Sequence, residues 1–408
     1  MNSLLKLTLI FAGIVVSLNR KWNLGIVLLL ASVATGLLFA YPVQDIGRDI
    51  LLGSVDILTL RLALAIAMIM ILGELLRQTD ALEGMVEALQ ALIPNGRVVI
   101  AALPALVGLL PMVGGAMLSA PMVNEVGDRL GADQEKKTFV NYWFRHIWEL
   151  IFPTYPSLLI AAALLGLTAV ELAQATWPMA LAAVTGGLLF GLLGLPRHSA
   201  HQPDPPPRAQ SLRTLAASTW PVVLVIALSL TLPIDDRFSL ILSLAITIAL
   251  LMAVKRIPLR DLMTILRKHV PWKTVVLVFG AMIFRRVLEN SGAVLSVSDE
   301  LTTLHIPLPV LAFGVPFIGS LLTGLIFVGY SIGFPVVLPL LAAAGGMTPG
   351  WTAWLLAAGF LGAMFSPVHM CLALTRVYFK ADWGPLYRRI APSGALVIAA
   401  AATMLFLT

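Results

Sequence analysis

The stretch from Arg97 to Val126, RVVIAALPALVGLLPMVGGAMLSAPMVNEV, decides how the whole chain is interpreted. It is apolar on both flanks and interrupted by residues that disfavour a continuous helix: Pro111, Gly114, Gly115, Ser119 and Pro121. It is longer than the roughly 20 apolar residues that one spanning helix needs. The pattern therefore predicts a broken re-entrant hairpin over 98–127, with two half-helices meeting at a tip near Met112–Ser119. A single kinked spanning helix is the alternative.

Composition places the chain among membrane proteins. Of its 408 residues, 59% are hydrophobic and 12% are charged, whereas about a quarter of the residues of a soluble protein are charged. We expect an all-α polytopic protein in a lipid bilayer, and we attribute the net charge of +6 to loop residues rather than to nucleic-acid binding. The single cysteine, Cys371, excludes an internal disulfide and a multi-cysteine metal site. We expect no metal and no cofactor.

Apolar runs occur on both sides of a proline-rich connector, PRHSAHQPDPPPRAQS, which begins at Pro196. A proline run of this kind cannot continue a helix, so 196–216 is predicted to be a cytoplasmic linker. The runs outside the hairpins are Leu4–Leu18, Leu24–Tyr41, Ile57–Leu76, Leu150–Leu167, Trp177–Leu195, Trp220–Leu232, Leu240–Val254, Val275–Leu288, Trp351–Thr375 and Ile390–Leu407. Short amphipathic pieces, expected at the membrane surface, are Gln44–Leu52, Ala81–Leu92, Leu259–Arg267 and Val294–Leu304.

The two sides of the linker resemble each other in sequence. A shift of 212 residues aligns MILGELLRQTDAL from Met70 with MIFRRVLENSGAV from Met282, and LPALVGLLPM with VPFIGSLLTG. A shift of 213 aligns IFPTYPSLL from Ile151 with MFSPVHMCL from Met364. This predicts two repeats, 1–195 with the hairpin 98–127 and 217–408 with a second hairpin at 308–344.

Each predicted repeat has five spans and one hairpin, and an odd number of spans makes the second repeat inverted. Most of the 27 Lys and Arg residues fall in loops that this topology places on one side: Arg20–Lys21, Arg77–Arg97, Arg129–Arg145, Arg197–Arg213, Lys255–Lys273 and Arg376–Arg389. The positive-inside rule makes that side cytoplasmic. Both termini are then expected outside a bacterial or archaeal cytoplasmic membrane.

Three blocks carry a family resemblance: GLLPMVGGAMLSAP, FRHIWELIFPTYP and GAMFSPVHMCLALT. They resemble an uncharacterised bacterial and archaeal family of integral membrane proteins. That family is grouped with the ion transporter superfamily, beside gluconate permeases and C4-dicarboxylate and citrate carriers. The resemblance implies an elevator-type carrier that forms a homodimer, in which a domain with two hairpins and two unwound helices slides against a scaffold. Relatives often carry Ser-Asn-Thr-like tips, whereas the tips here read PMVGGAMLS and TGLIFVGYS.

Four predicted breaks supply the candidate binding residues. Half-helix N-termini suit an anion, and carbonyls freed by proline suit a cation or a water. The predicted substrate-binding residues are Gly114, Gly115, Ser119, Thr154, Tyr155, Thr323, Gly324, Gly329, Ser331, Ser366 and His369. For each of these residues alone, helix packing is the competing explanation.

Two ionisable residues near the breaks are candidates for ion coupling, because charge within a span is costly. Glu149 heads the span that unwinds at Pro153, and His369 lies at the equivalent break. Glu149 could instead pair with Arg145, and His369 could be a hydrogen-bonded packing residue. Arg145 and His146 either meet an anionic substrate or serve as positive-inside anchors.

These observations predict a secondary active transporter, a symporter of a small organic anion such as a carboxylate or sugar acid, driven by H⁺ or Na⁺. A channel-like exporter is the first alternative, and a membrane-embedded enzyme is the second. The sequence contains no H-E-x-x-H, no nucleophile–base signature and no P-loop, so we expect neither an enzyme nor direct ATP drive.

Overall fold

The structure is a computed structural model that describes residues 2–20, 22–109, 115–196, 206–232, 236–268, 272–293, 296–297, 300 and 306–407. Within these ranges the chain is helical and has no β-strand. The α-helices, in chain order, are α1 (Ser3–Asn19), α2 (Leu24–Leu38), α3 (Val43–Val55), α4 (Ile57–Gln78), α5 (Ala81–Leu92), α6 (Gly96–Gly108), α7 (Gly115–Arg129), α8 (Gln134–His146), α9 (Pro156–Leu165), α10 (Ala169–Gly187), α11 (Arg208–Thr231), α12 (Asp236–Lys255), α13 (Leu259–Lys268), α14 (Trp272–Asn290), α15 (Leu308–Thr323), α16 (Ile326–Ala343), α17 (Pro349–Phe365), α18 (Met370–Phe379) and α19 (Trp383–Leu407).

Among the described residues, seven helical segments are long and apolar enough to cross a membrane. They are α4, α10 with the π-helical turn Leu188–Leu192 that follows it, α11, α12, α16, α17 together with α18, and α19. Shorter apolar helices are α1, α2, α6, α9 and α15. The chain therefore has the helices of a multi-pass membrane protein, as its composition predicts.

Local sequence signals explain where several helices begin and end. The side chain of Asp133 accepts a hydrogen bond from the amide of Lys136 and caps the start of α8. Thr168 and Glu171 form a capping box at the start of α10. Gly324 ends α15 with a φ of +70°, a conformation that glycine adopts without a Cβ penalty.

The helices pack as two groups. The first group is α1–α5 with α11–α14, in which α14 packs against α2, α3 and α4, and α11 packs against α5 and α12. The second group is α6–α10 with α15–α19, in which α15 packs against α16 and α17, and α8 packs against α6, α7 and α18. The main contacts between the groups are α1 with α15, α4 with α9, α5 with α6, and α14 with α16.

Two features hold the first group together. Helices α2 and α14 cross with backbone in contact, since a Cβ added to Gly280 would lie 2.8 Å from the Cα of Gly25. Asp49 of α3 is buried and accepts hydrogen bonds from Arg286 Nε at 3.0 Å, Asn290 Nδ2 at 2.9 Å and Tyr41 OH at 2.9 Å. Burial alone would raise the pKa of Asp49, but these hydrogen bonds lower it below its usual range.

The second group contains the interrupted elements. Helices α15 and α16 lie within the predicted hairpin 308–344 and meet at Gly324 and Leu325. Helices α6 and α7 lie around the predicted hairpin 98–127, but residues 110–114, which include Gly114, lie outside the described residues. Gly115 to Ser119 already belong to α7, so this part of the predicted tip is helical.

Two expectations differ from the observed helices. Arg129–Arg145 was expected to be a cytoplasmic loop, and that is wrong, because most of it forms α8, which is buried inside the protein. Its polar sequence hid it from a search for apolar spans. Helix α11 begins at Arg208, inside the stretch 196–216 that was expected to be a linker, directly after the proline run.

Candidate functional site

Helix α8 is polar in sequence yet buried from its fourth residue to its end. Every residue from Lys137 to His146 is buried. A polar group can be buried at low cost only when it has partners, and α8 finds them on several helices. Asn141 Nδ2 donates to Ala116 O at 2.9 Å and Trp143 Nε1 donates to Ala183 O at 2.8 Å. Side chains of α8 thus form hydrogen bonds to other helices of the second group.

Two helical elements of the second group are interrupted at the same level. Helix α8 continues through a 3₁₀ turn, Ile147–Leu150, into an irregular stretch that ends at α9. Helices α17 and α18 are separated by the irregular stretch Ser366–His369. The two interruptions meet, since His146 Nε2 lies 3.2 Å from His369 Nε2 and the Tyr142 ring contacts the His369 ring edge-on.

The carbonyls at the end of α6 are bonded by side chains of the first interruption. Trp148 Nε1 donates to Ala105 O at 2.7 Å, and the Tyr155 hydroxyl donates to the carbonyl of Gly108. Arg145 Nη1 lies 3.4 Å from Val107 O. The last carbonyls of a helix lack partners within the helix, so these bonds supply them. Thus Tyr155, a predicted ligand residue, bonds the C-terminal end of α6.

Side chains at and near the second interruption likewise bond carbonyls near the ends of α15 and α17. Ser366 Oγ donates to Leu321 O of α15 at 2.6 Å, and Tyr387 OH donates to Phe365 O at 2.8 Å. The backbone of His369 presses on Gly324, where an added Cβ would lie 2.7 Å from the His369 Cα. The turn between α15 and α16 is therefore docked onto this interruption.

Arg145 lies where these elements converge. Arg145 as a whole is only 5% exposed, and its guanidinium lies against Gly115, the first residue of α7. A Cβ added to Gly115 would lie 2.7 Å from Arg145 Nη2 and 2.8 Å from its Cζ. The N-terminal end of α7 and the guanidinium both favour negative charge at this point.

Glu149 is a carboxylate beside this centre. Its Oε1 lies 3.8 Å from His146 Nε2, and Ser157 Oγ donates to its Oε2 at 3.3 Å. Arg145 acts on it electrostatically. Glu149 therefore contacts residues on both sides of the first interruption, His146 and Ser157.

The remaining predicted residues divide into two sets. Ser119 donates to Asn141 Oδ1 at 2.6 Å, Thr323 donates to Gly319 O of its own helix at 2.7 Å, and an added Cβ on Gly329 would collide with Ser320 Oγ and Pro316 O. In this structure the two hydroxyls are therefore bonded to other helix residues, and Gly329 lies at a close contact between α15 and α16. Thr154 Oγ1 and Ser331 Oγ are buried and make no hydrogen bond among the described residues.

Sequence reasoning left out several residues of this centre. Asn141, Tyr142 and Cys371 were not predicted, and Arg145 and His146 were assigned mainly to anchoring. A usable signal existed: RHIWE places three ionisable residues directly before an interruption at Pro153. The pairing with the second interruption carries no local signal, because His146 and His369 are 223 residues apart.

Comparison with known proteins identifies the family. Residues 2–407 match the family described as "Protein of unknown function (DUF401)". The chain belongs to this family. No curated protein sequence matches it. The structure is similar to that of the Alcanivorax borkumensis YdaH transporter, with a TM-score of 0.62 at 14% sequence identity, over 91% of this chain and 88% of that chain. At this identity the likeness establishes a shared fold.

Proposed function

We propose that the protein is a secondary active transporter that carries a small organic anion, a carboxylate or sugar acid, across the cytoplasmic membrane. The observation that carries this proposal is the buried guanidinium of Arg145 where the interrupted elements of the second group meet. Interrupted helices at membrane depth are the usual setting of a carrier binding site. The YdaH structure, which shares the fold, is that of a transporter.

An anion is the substrate class that this centre suits best. Arg145 offers a planar fork of donors that matches a carboxylate. The start of α7 at Gly115 adds the positive end of a helix dipole. Glu149 is the competing internal anion, and protonating it would remove its attraction for Arg145 and so favour binding of a substrate carboxylate.

This competition gives a physical route to proton coupling. An anion binds Arg145 more strongly when Glu149 is neutral, so loading favours uptake of a proton. His369, the second candidate for ion coupling in the sequence, contacts His146 at the same centre. Sodium is the alternative coupling ion, and Thr154 Oγ1, buried without a hydrogen bond among the described residues, is the hydroxyl best suited to it.

The two groups of helices suggest how access alternates. We propose that the second group slides as a unit against the first, as in an elevator carrier, with the two groups arising from inverted repeats. The main contacts between the groups are limited to four helix pairs, α1–α15, α4–α9, α5–α6 and α14–α16. Arg285 Nη1 of α14 donates to Ala163 O of α9 at 3.1 Å across this boundary. We further propose a homodimer formed by the first group, with both chain termini outside the cell.

Proteoliposomes with imposed H⁺ or Na⁺ gradients test the proposal. The probes are radiolabelled succinate, citrate and gluconate, and the matched variants are Arg145→Lys, which keeps the charge but loses the planar fork, and Arg145→Met, which removes both. A carrier shows saturable uptake and counterflow, with Arg145→Met inactive. A non-saturating flux without counterflow would indicate a channel-like exporter, and conversion of the probe would indicate an enzyme.

A further inference from the structure

Three potential metal ligands converge beside Arg145. His146 ends α8, His369 ends the second interruption, and Cys371 lies in the first turn of α18. One ligand atom from each lies within 4.8 Å of the others, and both histidines are buried. We propose that these three side chains bind one Zn²⁺-like transition-metal ion. The sequence led us to expect no metal, and it gives no local sign that His146 meets His369, which lies 223 residues away.

The two imidazoles have the separation that a shared ion requires. A zinc–nitrogen bond of about 2.0–2.1 Å and a tetrahedral angle place two ligating nitrogens about 3.3 Å apart. The observed separation of the two Nε2 atoms is 3.2 Å. A hydrogen bond between the rings would have a similar length, so the distance alone does not decide between a bond and an ion.

The environment of His146 leaves the ring nitrogen that faces His369 able to bind an ion. Its Nδ1 lies 2.6 Å from the carbonyl oxygen of Tyr142, and a carbonyl can only accept a hydrogen bond, so Nδ1 carries the proton. The lone pair is therefore on Nε2, the atom that faces His369. Histidines that bind metals usually donate their other N–H to a carbonyl or carboxylate in this way, which fixes both tautomer and ring orientation.

Cys371 supplies the third ligand, and it binds a metal ion through its sulfur as the thiolate. Two imidazoles and one thiolate form a donor set of borderline softness, which Zn²⁺ and its analogue Co²⁺ prefer. The positive charges of the ion and of Arg145 are offset by the thiolate and by the Glu149 carboxylate, which lies 3.8 Å from His146 Nε2.

The position of the cluster gives the ion a mechanical role. His146 belongs to the first interrupted element, and His369 and Cys371 belong to the second. A bound ion joins the two elements at the level where both lack helical backbone bonds. Three protein ligands also leave a fourth coordination position, which is typical of sites that exchange a ligand.

Cobalt binding to the full-length protein in detergent tests this inference without any transport measurement, so it stands or falls separately from the proposed function. The protein carries no histidine tag, is stripped with chelator, and has glutamine in place of its four other histidines, at 198, 201, 269 and 305. We expect one Co²⁺ per chain, the intense visible bands of tetrahedral cobalt and a thiolate-to-cobalt charge-transfer band. Excess Zn²⁺ should displace the cobalt.

Variants decide whether these three residues are the ligands. Cys371→Ser, which changes one atom, should abolish the charge-transfer band, and His146→Gln and His369→Gln should each weaken Zn²⁺ binding at least about tenfold. Ser243→Ala in α12, whose hydroxyl donates to Ser239 O of its own helix at 2.7 Å, removes no ligand, and it should bind like the parent. Gel filtration checks that each variant is folded. The inference is refuted if the parent binds no stoichiometric Co²⁺, if its spectrum lacks the charge-transfer band, or if binding survives both histidine variants.

Discussion

Replacing Gly115 with alanine tests whether the placement of the Arg145 guanidinium matters for transport. The new Cβ would lie 2.7 Å from Nη2, and an ordinary contact begins at 3.4 Å, so the guanidinium must move by about 0.7 Å. Binding sites tolerate displacements of roughly 0.5 Å, and an error of about 1 Å can cost a factor of 100. We therefore expect uptake efficiency to fall at least about tenfold.

The fold should survive this change, because the end of a long side chain moves rather than backbone. The matched control is Gly73→Ala in α4, where an added Cβ meets nothing within 4 Å. Both variants are assayed for probe uptake into proteoliposomes and for unfolding temperature. The expected pattern is a loss of uptake in Gly115→Ala alone, with both unfolding temperatures near that of the parent. Uptake by Gly115→Ala equal to that of Gly73→Ala would refute the role assigned to Arg145.

Three further predictions follow from other parts of the structure. Hydrogen bonds lower the pKa of Asp49 in the folded protein, so its contribution to stability is complete above the pKa of about 4 that an aspartate has in the unfolded chain. This contribution is lost as the pH falls below that value. The unfolding temperature of the parent should therefore drop more than that of Asp49→Asn between pH 6 and pH 3, and parallel curves for the two proteins would contradict this. In a background lacking Cys371, a cysteine at the exposed Ala209 should react with an impermeant maleimide only after the cells are opened, and labelling of intact cells would overturn the proposed orientation. Glu149→Gln should abolish pH-driven accumulation yet spare exchange of substrate for substrate, and normal accumulation by this variant would exclude Glu149 as the proton carrier.

The sequence predicts those features whose cause is local. The ends of α15 and α16 follow from proline and glycine, and Gly324 adopts the positive φ expected at such a turn. The amphipathic helix α5 begins and ends at the predicted residues, Ala81 and Leu92. Periodicity and helix-ending residues act over a few positions, so one chain suffices to read them.

The centre of the second group was harder to predict, because its cause is not local. Helix α8 is polar since it faces other helices, whereas a search for spans looks for residues that face lipid. Arg145 therefore looked like a loop residue. The separation of Nε2 atoms between His146 and His369 depends on how two distant interruptions dock, and periodicity contains no information about that.

The buried polar helix α8 also constrains the order in which the protein matures. Tyr142 OH lies within 3.3–3.4 Å of the carbonyls of Met364 and Ala363, and Asn141 Nδ2 lies 3.3 Å from Thr375 Oγ1. These partners are synthesised more than 220 residues after Tyr142 and Asn141. A nascent chain thus carries Tyr142 and Asn141 through membrane insertion before these partners exist. We therefore expect α8 to reach its final position in the bilayer late. A chain that stops before α17 would contain α8 without these partners, and its polar residues are costly to place in hydrocarbon.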